Sequence, residues 1–177
     1  MAQSDAPLTT VTKGTAALLA DLRRGSLDIA VVAHPSVLAD LEAGPIIAVN
    51  RNVVVPSGHR AASTKSPRAQ MLSDLALATT PRADNPPAHD LLMDGLRRHG
   101  LDASLQPAST HRDVSALVAA GTCFGLATPT AAVHTGTKHL RMLVEEVALR
   151  VRIVTAPGRD LADLVHALDR ELLRNRA

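Results

Sequence analysis

The sequence predicts an α/β fold, and three observations carry the prediction. Runs rich in Val, Ile and Thr alternate along the chain with stretches whose apolar residues recur three and four apart, the respective signatures of strands and helices. Leu27-Asp28-Ile29-Ala30-Val31-Val32 is a nearly continuous apolar run, the pattern of a strand buried on both faces of a parallel sheet. Leu161, Leu164, Val165, Leu168 and Leu172 draw a closing amphipathic helix. With 177 residues, the chain can build one domain or two small lobes around a real core.

The elements follow in order. Residues 1–8 are polar and unpatterned, a loose leader. Thr9-Thr10-Val11-Thr12 is β-branched throughout and reads as a short strand. Gly14 turns the chain, and Thr15 caps a helix running to about Arg24 with Leu18, Leu19 and Leu22 on one face. Gly25 stops it where a left-handed residue is wanted. Together with the run at 27–32 this is a βαβ unit, whose crossover is expected to be right-handed. Ile46–Val49 and Val53–Val55 are strand pieces broken at Asn50-Arg51-Asn52, and Pro56-Ser57-Gly58-His59 is turn chemistry. Residues 61–68, with Pro67, are expected as a surface loop; a helical turn at 71–75 leads into a strand at 75–79.

The three prolines in 81–87 predict another loop, and Leu91, Leu92 and Leu96 a helix ending at Gly100. A short strand at 104–108 precedes Thr110-His111-Arg112-Asp113, which fits a capping box opening a helix that stops at Gly121. A strand at 124–128 and one or two at 143–154 complete the set before the closing helix, whose last turn carries Arg170, Arg174 and Arg176.

Composition excludes several classes. An apolar fraction of 46% without long charge blocks excludes disorder, and no apolar run reaches the ~18–20 residues of a membrane span. The N-terminal stretch lacks a cationic flank and an apolar segment, so no secretory leader is expected. A single cysteine excludes an internal disulfide and suits a reducing cytoplasm. Phe124 is the only aromatic residue, which excludes base-stacking surfaces and aromatic cages. Nineteen Lys+Arg against seventeen Asp+Glu are scattered rather than striped, so no nucleic-acid footprint is present.

No motif demands an enzyme. Cys123 lies at the mouth of an apolar strand, where a free cysteine behaves as a small hydrophobe. His134 and His139 are five apart with no Cys or carboxylate beside them, too sparse for a zinc site, and no other metal or cofactor motif is found. Gly121-x-x-x-Gly125 has no GK[ST] or GxGxxG partner. His34 is different: it follows the buried strand at its C-terminal end, the place where open α/β sheets bind ligands.

Four segments, in order, resemble one family. Leu22-Arg23-Arg24-Gly25-Ser26-Leu27-Asp28-Ile29-Ala30 resembles the L-x-x-G-x-L-D-[IL]-A signature of LysR-type regulator effector domains. Val54-Val55-Pro56-Ser57-Gly58-His59 resembles their V-V-P-x-x-H-P turn, with Arg60 in place of proline. Ser73-Asp74-Leu75, then Thr79-Thr80-Pro81, resembles the entry to the second lobe. Val118-Ala119-Ala120-Gly121 with Phe124-Gly125 and Pro129 resembles the V-A-A-G-x-G-[IV]-x-x-x-P run.

The resemblance implies an effector-binding (substrate-binding) domain of a LysR-type transcriptional regulator. Its type 2 periplasmic-binding-protein-like fold has two lobes, here residues 1–52 with 136–177 and residues 53–135, and a small-molecule effector between them. It implies a non-enzymatic, cytoplasmic sensor that forms a homodimer and reaches DNA only through a winged helix-turn-helix domain outside this chain. By position, it places Thr15, Ala33 and His34 on one wall of the cleft, Thr79, Thr80 and Pro81 on the other, and Thr122 beside them. The family's first strand and helix are not recognisable ahead of Thr9, so the first lobe is expected to lack them. The competing readings are an enzyme or solute-binding protein on the same fold, or a truncated regulator that only pairs with intact homologues.

Overall fold

The computed structural model describes residues 9–141 and 148–174. The elements are α1 (Thr15–Arg23), β1 (Ile29–Ala33), β2 (Glu42–Ala43), β3 (Ile47–Val49), β4 (Asn52–Pro56), β5 (Ala76–Thr79), α2 (Pro86–Arg98), β6 (Leu105–Pro107), α3 (His111–Ala119), β7 (Cys123–Ala127), β8 (Thr137–Leu140), β9 (Leu149–Thr155) and α4 (Ala162–Arg174). Short 3-10 turns occupy Arg60–Ser63, Ala69–Leu72 and Arg82–Asp84. The strands form two sheets. In the first, β9 is central and pairs antiparallel with β1, β2 and β3. In the second the order is β6-β5-β7-β4-β8, parallel from β6 to β7 and antiparallel from β7 to β8.

The second sheet is covered on both faces, and its sequence says why. Val53, Val54 and Val55 are all essentially inaccessible, so alternate side chains of one strand feed two cores. Val53 and Val55 join Leu77, Phe124 and the α2 residues Leu92, Met93 and Leu96. Val54 joins Ala78, Cys123, Ala127 and Val118 of α3. The first sheet packs Ala30, Val32 and Val154 against Leu19 and Leu22 of α1. Ile47, Val49 and Val151 pack with Leu172 of α4.

Helix ends follow their local chemistry. At the end of α1, Gly25 has φ +69°, and its N–H bonds Leu22 O while the Ser26 N–H bonds Asp21 O, a Schellman closure. At the start of α3, Thr110 Oγ1 accepts from the Asp113 N–H at 3.1 Å and the Thr110 N–H donates to Asp113 Oδ2 at 2.9 Å. The capping box stands as expected.

Several expectations are overturned. Residues 9–12 are exposed and join no ladder, so there is no βαβ unit; β-branched composition favours extended backbone but supplies no partner strand. The run at 27–32 is not a parallel strand. β1 pairs antiparallel with β9, and its burial alternates, with Val32 buried and Val31 38% exposed. Residues 61–68 are not simply a surface loop, because Ala61, Ala62 and Pro67 are buried. The proline-rich 81–87 segment is a 3-10 turn running into α2, with Asn85 as its N-cap and prolines in its first turn. Thr15 does not cap α1; Gly14 occupies the cap position and Thr15 is the first helical residue. β8 belongs to the second sheet, so residues 137–140 fall with 53–135 rather than with the C-terminal segment. Residues 143–147 of the one or two strands expected at 143–154, and Arg176, lie outside the described residues.

Candidate functional site

Two crossings of the chain between the sheets define one crevice. Asn50 and Arg51 carry it from β3 to β4, out of the first sheet and into the second. Because β3 pairs with β9, with Val49 opposite Leu149, the entry to β9 lies beside that crossing. Arg51, Leu149 and Arg150 thereby meet at a cavity of about 140 Å³. The first sheet adds Thr15 at the head of α1 and Ala33-His34 at the end of β1. The second adds Thr79-Thr80 at the end of β5, then Asp84, Asn85 and His89 at the head of α2.

The electrostatics are lopsided. Among the described residues, two guanidiniums (Arg51, Arg150) and two imidazoles (His34, His89) line the cavity beside one carboxylate, Asp84. Burial lowers the Arg51 guanidinium to about 10, because desolvation penalises its charged form. His34 is held below its ordinary 6.5, first by burial and then by the charges of Arg152 and Arg150. The His34 backbone N–H donates to Arg150 O at 2.7 Å, while its ring Nδ1 is buried with no hydrogen-bond partner among the described residues.

The second unit also holds the first directly. The Thr15 N–H donates to Asp84 Oδ2 at 3.1 Å and the Ala16 N–H to Asp84 Oδ1 at 3.4 Å. Asn85 Nδ2 donates to Ala33 O at 3.1 Å, and its Oδ1 accepts from the Ala88 N–H at 3.4 Å. Arg82 grips Asp90 through two bonds of 2.7 and 2.6 Å, tying the 3-10 turn back onto α2.

Of the residues singled out from sequence, Thr15, Ala33, His34, Thr79 and Thr80 come together around this cavity. Pro81 is exposed at the head of the adjoining 3-10 turn and is not on the cavity wall. Thr122 is elsewhere. Ala76 pairs with Cys123, so Thr122 precedes the level of β5's first residue, about 13 Å from Thr79 at the ~3.3 Å rise of a parallel strand. Helix α3 enters β7 at the end of the sheet away from the crevice. Phe124 is fully buried in the second core, and Cys123 is buried beside it; neither lines the cavity. His134 stands against His111, ring centroids 5.8 Å apart, but among the described residues no group of three or more side chains can hold a metal ion.

Sequence reasoning missed Arg51, Asp84, Asn85, His89 and Arg150. Asn85-Pro86-Pro87 did carry a signal, since Asn at the cap with Pro in the first turn marks a helix start. Nothing local marks Arg51 and Arg150, which meet only because β3 and β9 pair.

Two α/β units joined by paired crossovers, with strand ends and helix heads facing one crevice, define a ligand-binding fold of the type 2 periplasmic-binding-protein-like kind. The LysR substrate binding domain family matches residues 3–177, and the chain belongs to that family. Among solved structures it resembles a Corynebacterium glutamicum OxyR mutant at 25% identity and TM-score 0.72, covering 92% of this chain and 52% of that one. It therefore spans about half the length of that OxyR chain. It also resembles the effector binding domain of QuiR in complex with shikimate, at 16% identity and TM-score 0.71, with 91% and 77% covered. The reduced OxyR regulatory domain from Pseudomonas aeruginosa superposes at 18% identity and TM-score 0.69, with 90% and 78% covered. No curated protein matches the chain. No described helix is long and apolar enough to cross a membrane.

Proposed function

We propose that this chain is the effector-sensing domain of a LysR-type transcriptional regulator, taking a compact anionic molecule into the cleft between its two lobes. The observation that carries the reading is the cavity where both crossovers meet, lined by Arg51, Arg150, His34 and His89. At about 140 Å³ it is well below the ~300–1,000 Å³ of drug-sized sites, which favours a small metabolite. The ring Nδ1 of His34 and the hydroxyls of Thr79 and Thr80 add polar contacts. The QuiR effector binding domain is solved in complex with shikimate and the Synechocystis CcmR regulatory domain in complex with 2-PG, which supports a small-molecule occupant. We read the chain as a sensor, and its one cysteine, buried away from the cavity, supplies no thiol nucleophile there. The regulator acts in the cytoplasm as a homodimer, with DNA contact made by a separate domain. Effector binding in the cleft shifts the population of dimer arrangements.

Thermal unfolding against a panel of small mono- and dicarboxylates and phosphate esters tests this. A true effector at about a hundredfold excess over its Kd contributes about 2.7 kcal/mol, on the order of 5–10 °C for a chain of this length. Arg150→Ala removes most of that shift. A panel that moves neither protein overturns the proposal.

A further inference from the structure

This inference rests on the effector-binding reading of the cleft and concerns how the cleft is regulated. The first N–H groups of an α-helix have no acceptor within the helix. In α1 the first intrahelical bond runs from the Leu18 N–H to Gly14 O, which leaves the Thr15 and Ala16 amides to find partners elsewhere. They find Asp84, 69 and 68 residues away on the opposite lobe, one amide to each carboxylate oxygen. The positive end of the helix dipole faces the same carboxylate.

Three further features fit this contact. Gly14 makes room for it: a Cβ built there overlaps Asp84 Oδ1 and lies 2.6 Å from its Cγ. Gly14 has φ −66°, which every residue adopts, so the backbone does not call for glycine at this position; the close approach of the carboxylate does. Next in sequence, Asn85 reaches Ala33 O on the same lobe, so consecutive residues bridge the cleft to the two elements that flank it. Arg82, bound twice to Asp90, fixes the turn that presents them.

We propose that Asp84 is an internal stand-in for the effector's anionic group. It occupies the head of α1 and latches the lobes together, and an effector that uses those amides must first displace it. The latch raises the concentration at which the sensor responds, and an effector that binds only the cation-lined part of the cavity leaves it in place.

Residue-resolved amide hydrogen exchange on the whole chain tests the latch with two variants. Asp84→Ala removes the carboxylate. Gly14→Ala expels it by steric overlap and keeps the net charge. Both are expected to speed exchange of the Thr15 and Ala16 amides by about tenfold or more, while Leu19 and Leu22 keep their protection and so report an intact α1. Malonate and inorganic phosphate are then titrated into wild type and Asp84→Ala. Either anion is expected to bind the variant at least about tenfold more tightly and to restore protection at Thr15 and Ala16. Unprotected Thr15 and Ala16 amides in the wild type, or exchange unchanged in both variants, overturn the latch. Equal anion binding to both proteins, or none to the variant, overturns the stand-in role. Wild-type protection lost in both variants, beside an effector panel that shifts nothing, refutes the effector reading and leaves the latch standing.

Discussion

Asn85 performs two tasks with one side chain, and substitutions separate them. Its Oδ1 caps α2 by accepting from the Ala88 N–H, and its Nδ2 donates across the cleft to Ala33 O. The residue is only 9% exposed, so solvent does not replace either bond at full strength. Losing an N-cap costs about 1 kcal/mol, and losing the cross-lobe bond costs about another 1 kcal/mol. Asn85→Ala is therefore expected to destabilise by about 2 kcal/mol, on the order of 4–8 °C in Tm for a chain of this length. Asn85→Ser keeps a capping oxygen but lacks the reach to Ala33, so about half that loss is expected. Asn85→Asp keeps the cap and places a carboxylate where a donor stood, facing a carbonyl; its cost, about 1–3 kcal/mol, comes entirely from the cleft side. Urea unfolding of the four proteins gives the ranking. If Asn85→Ala falls within about 0.5 kcal/mol of wild type, neither bond contributes to stability and the reasoning fails. If Ser and Ala cost the same, the cap assignment fails alone.

Two further outcomes follow from the same structure. Phe124 is fully buried between β5, β4 and α2, so Phe124→Ala should cost about 3–5 kcal/mol in unfolding free energy while Phe124→Leu costs much less; equal losses would mean the ring is not the core's central filler. His34 and His139 both have pKa values below the ordinary 6.5, each mainly through burial, His34 then through Arg152 and Arg150 and His139 through His111 and His134. A depressed histidine favours the neutral form in the folded state. The stability it contributes is complete above about pH 6.5 and is lost as pH falls through the folded pKa. Tm should thus decline on acidification from about pH 7.5 to about pH 5, less steeply in His34→Gln; identical slopes would show that His34 does not report the cleft's charge.

What could be read from the sequence was local. Gly25 ending α1 and Thr110 with Asp113 opening α3 depend on a few consecutive residues, and the structure forms both as expected. The parallel reading of 27–32 failed because composition cannot identify the neighbour. Ala30 and Val32 face α1, Val31 faces outward, and the partner β9 arrives from about 120 residues later along the chain. The three consecutive valines of β4 have the two-sided burial that β1 was expected to have, and at sequence level the two runs look alike. The cleft divides the same way. A strand end followed by His34 could be anticipated from the rule that ligands sit beyond strand termini, and Thr79-Thr80 only from the family resemblance. Asp84 could not, since its partners are amides of a helix 68 and 69 residues earlier.

Charge placement supports the proposed small anion over a neutral or cationic molecule in this crevice. With its pKa at about 10, Arg51 stays protonated at neutral pH and bears the cost of desolvation, and Arg150 adds a second cation to the wall. An anion about 4 Å from one such charge gains on the order of 4 kcal/mol at the effective dielectric of a partly enclosed site, and it gains this only there, because in bulk water the same pair is worth about 1 kcal/mol. Asp84 is the only carboxylate among the described residues of the cavity wall, and its oxygens are turned to the α1 amides. Its charge is thus partly met by the helix head rather than directed at the guanidiniums. Ala33 offers only a methyl group and a carbonyl already held by Asn85, so the β1 end contributes shape. Selectivity among anions must therefore come from how well each one fits between the Arg51–Arg150 side and the α1 head that Asp84 now fills.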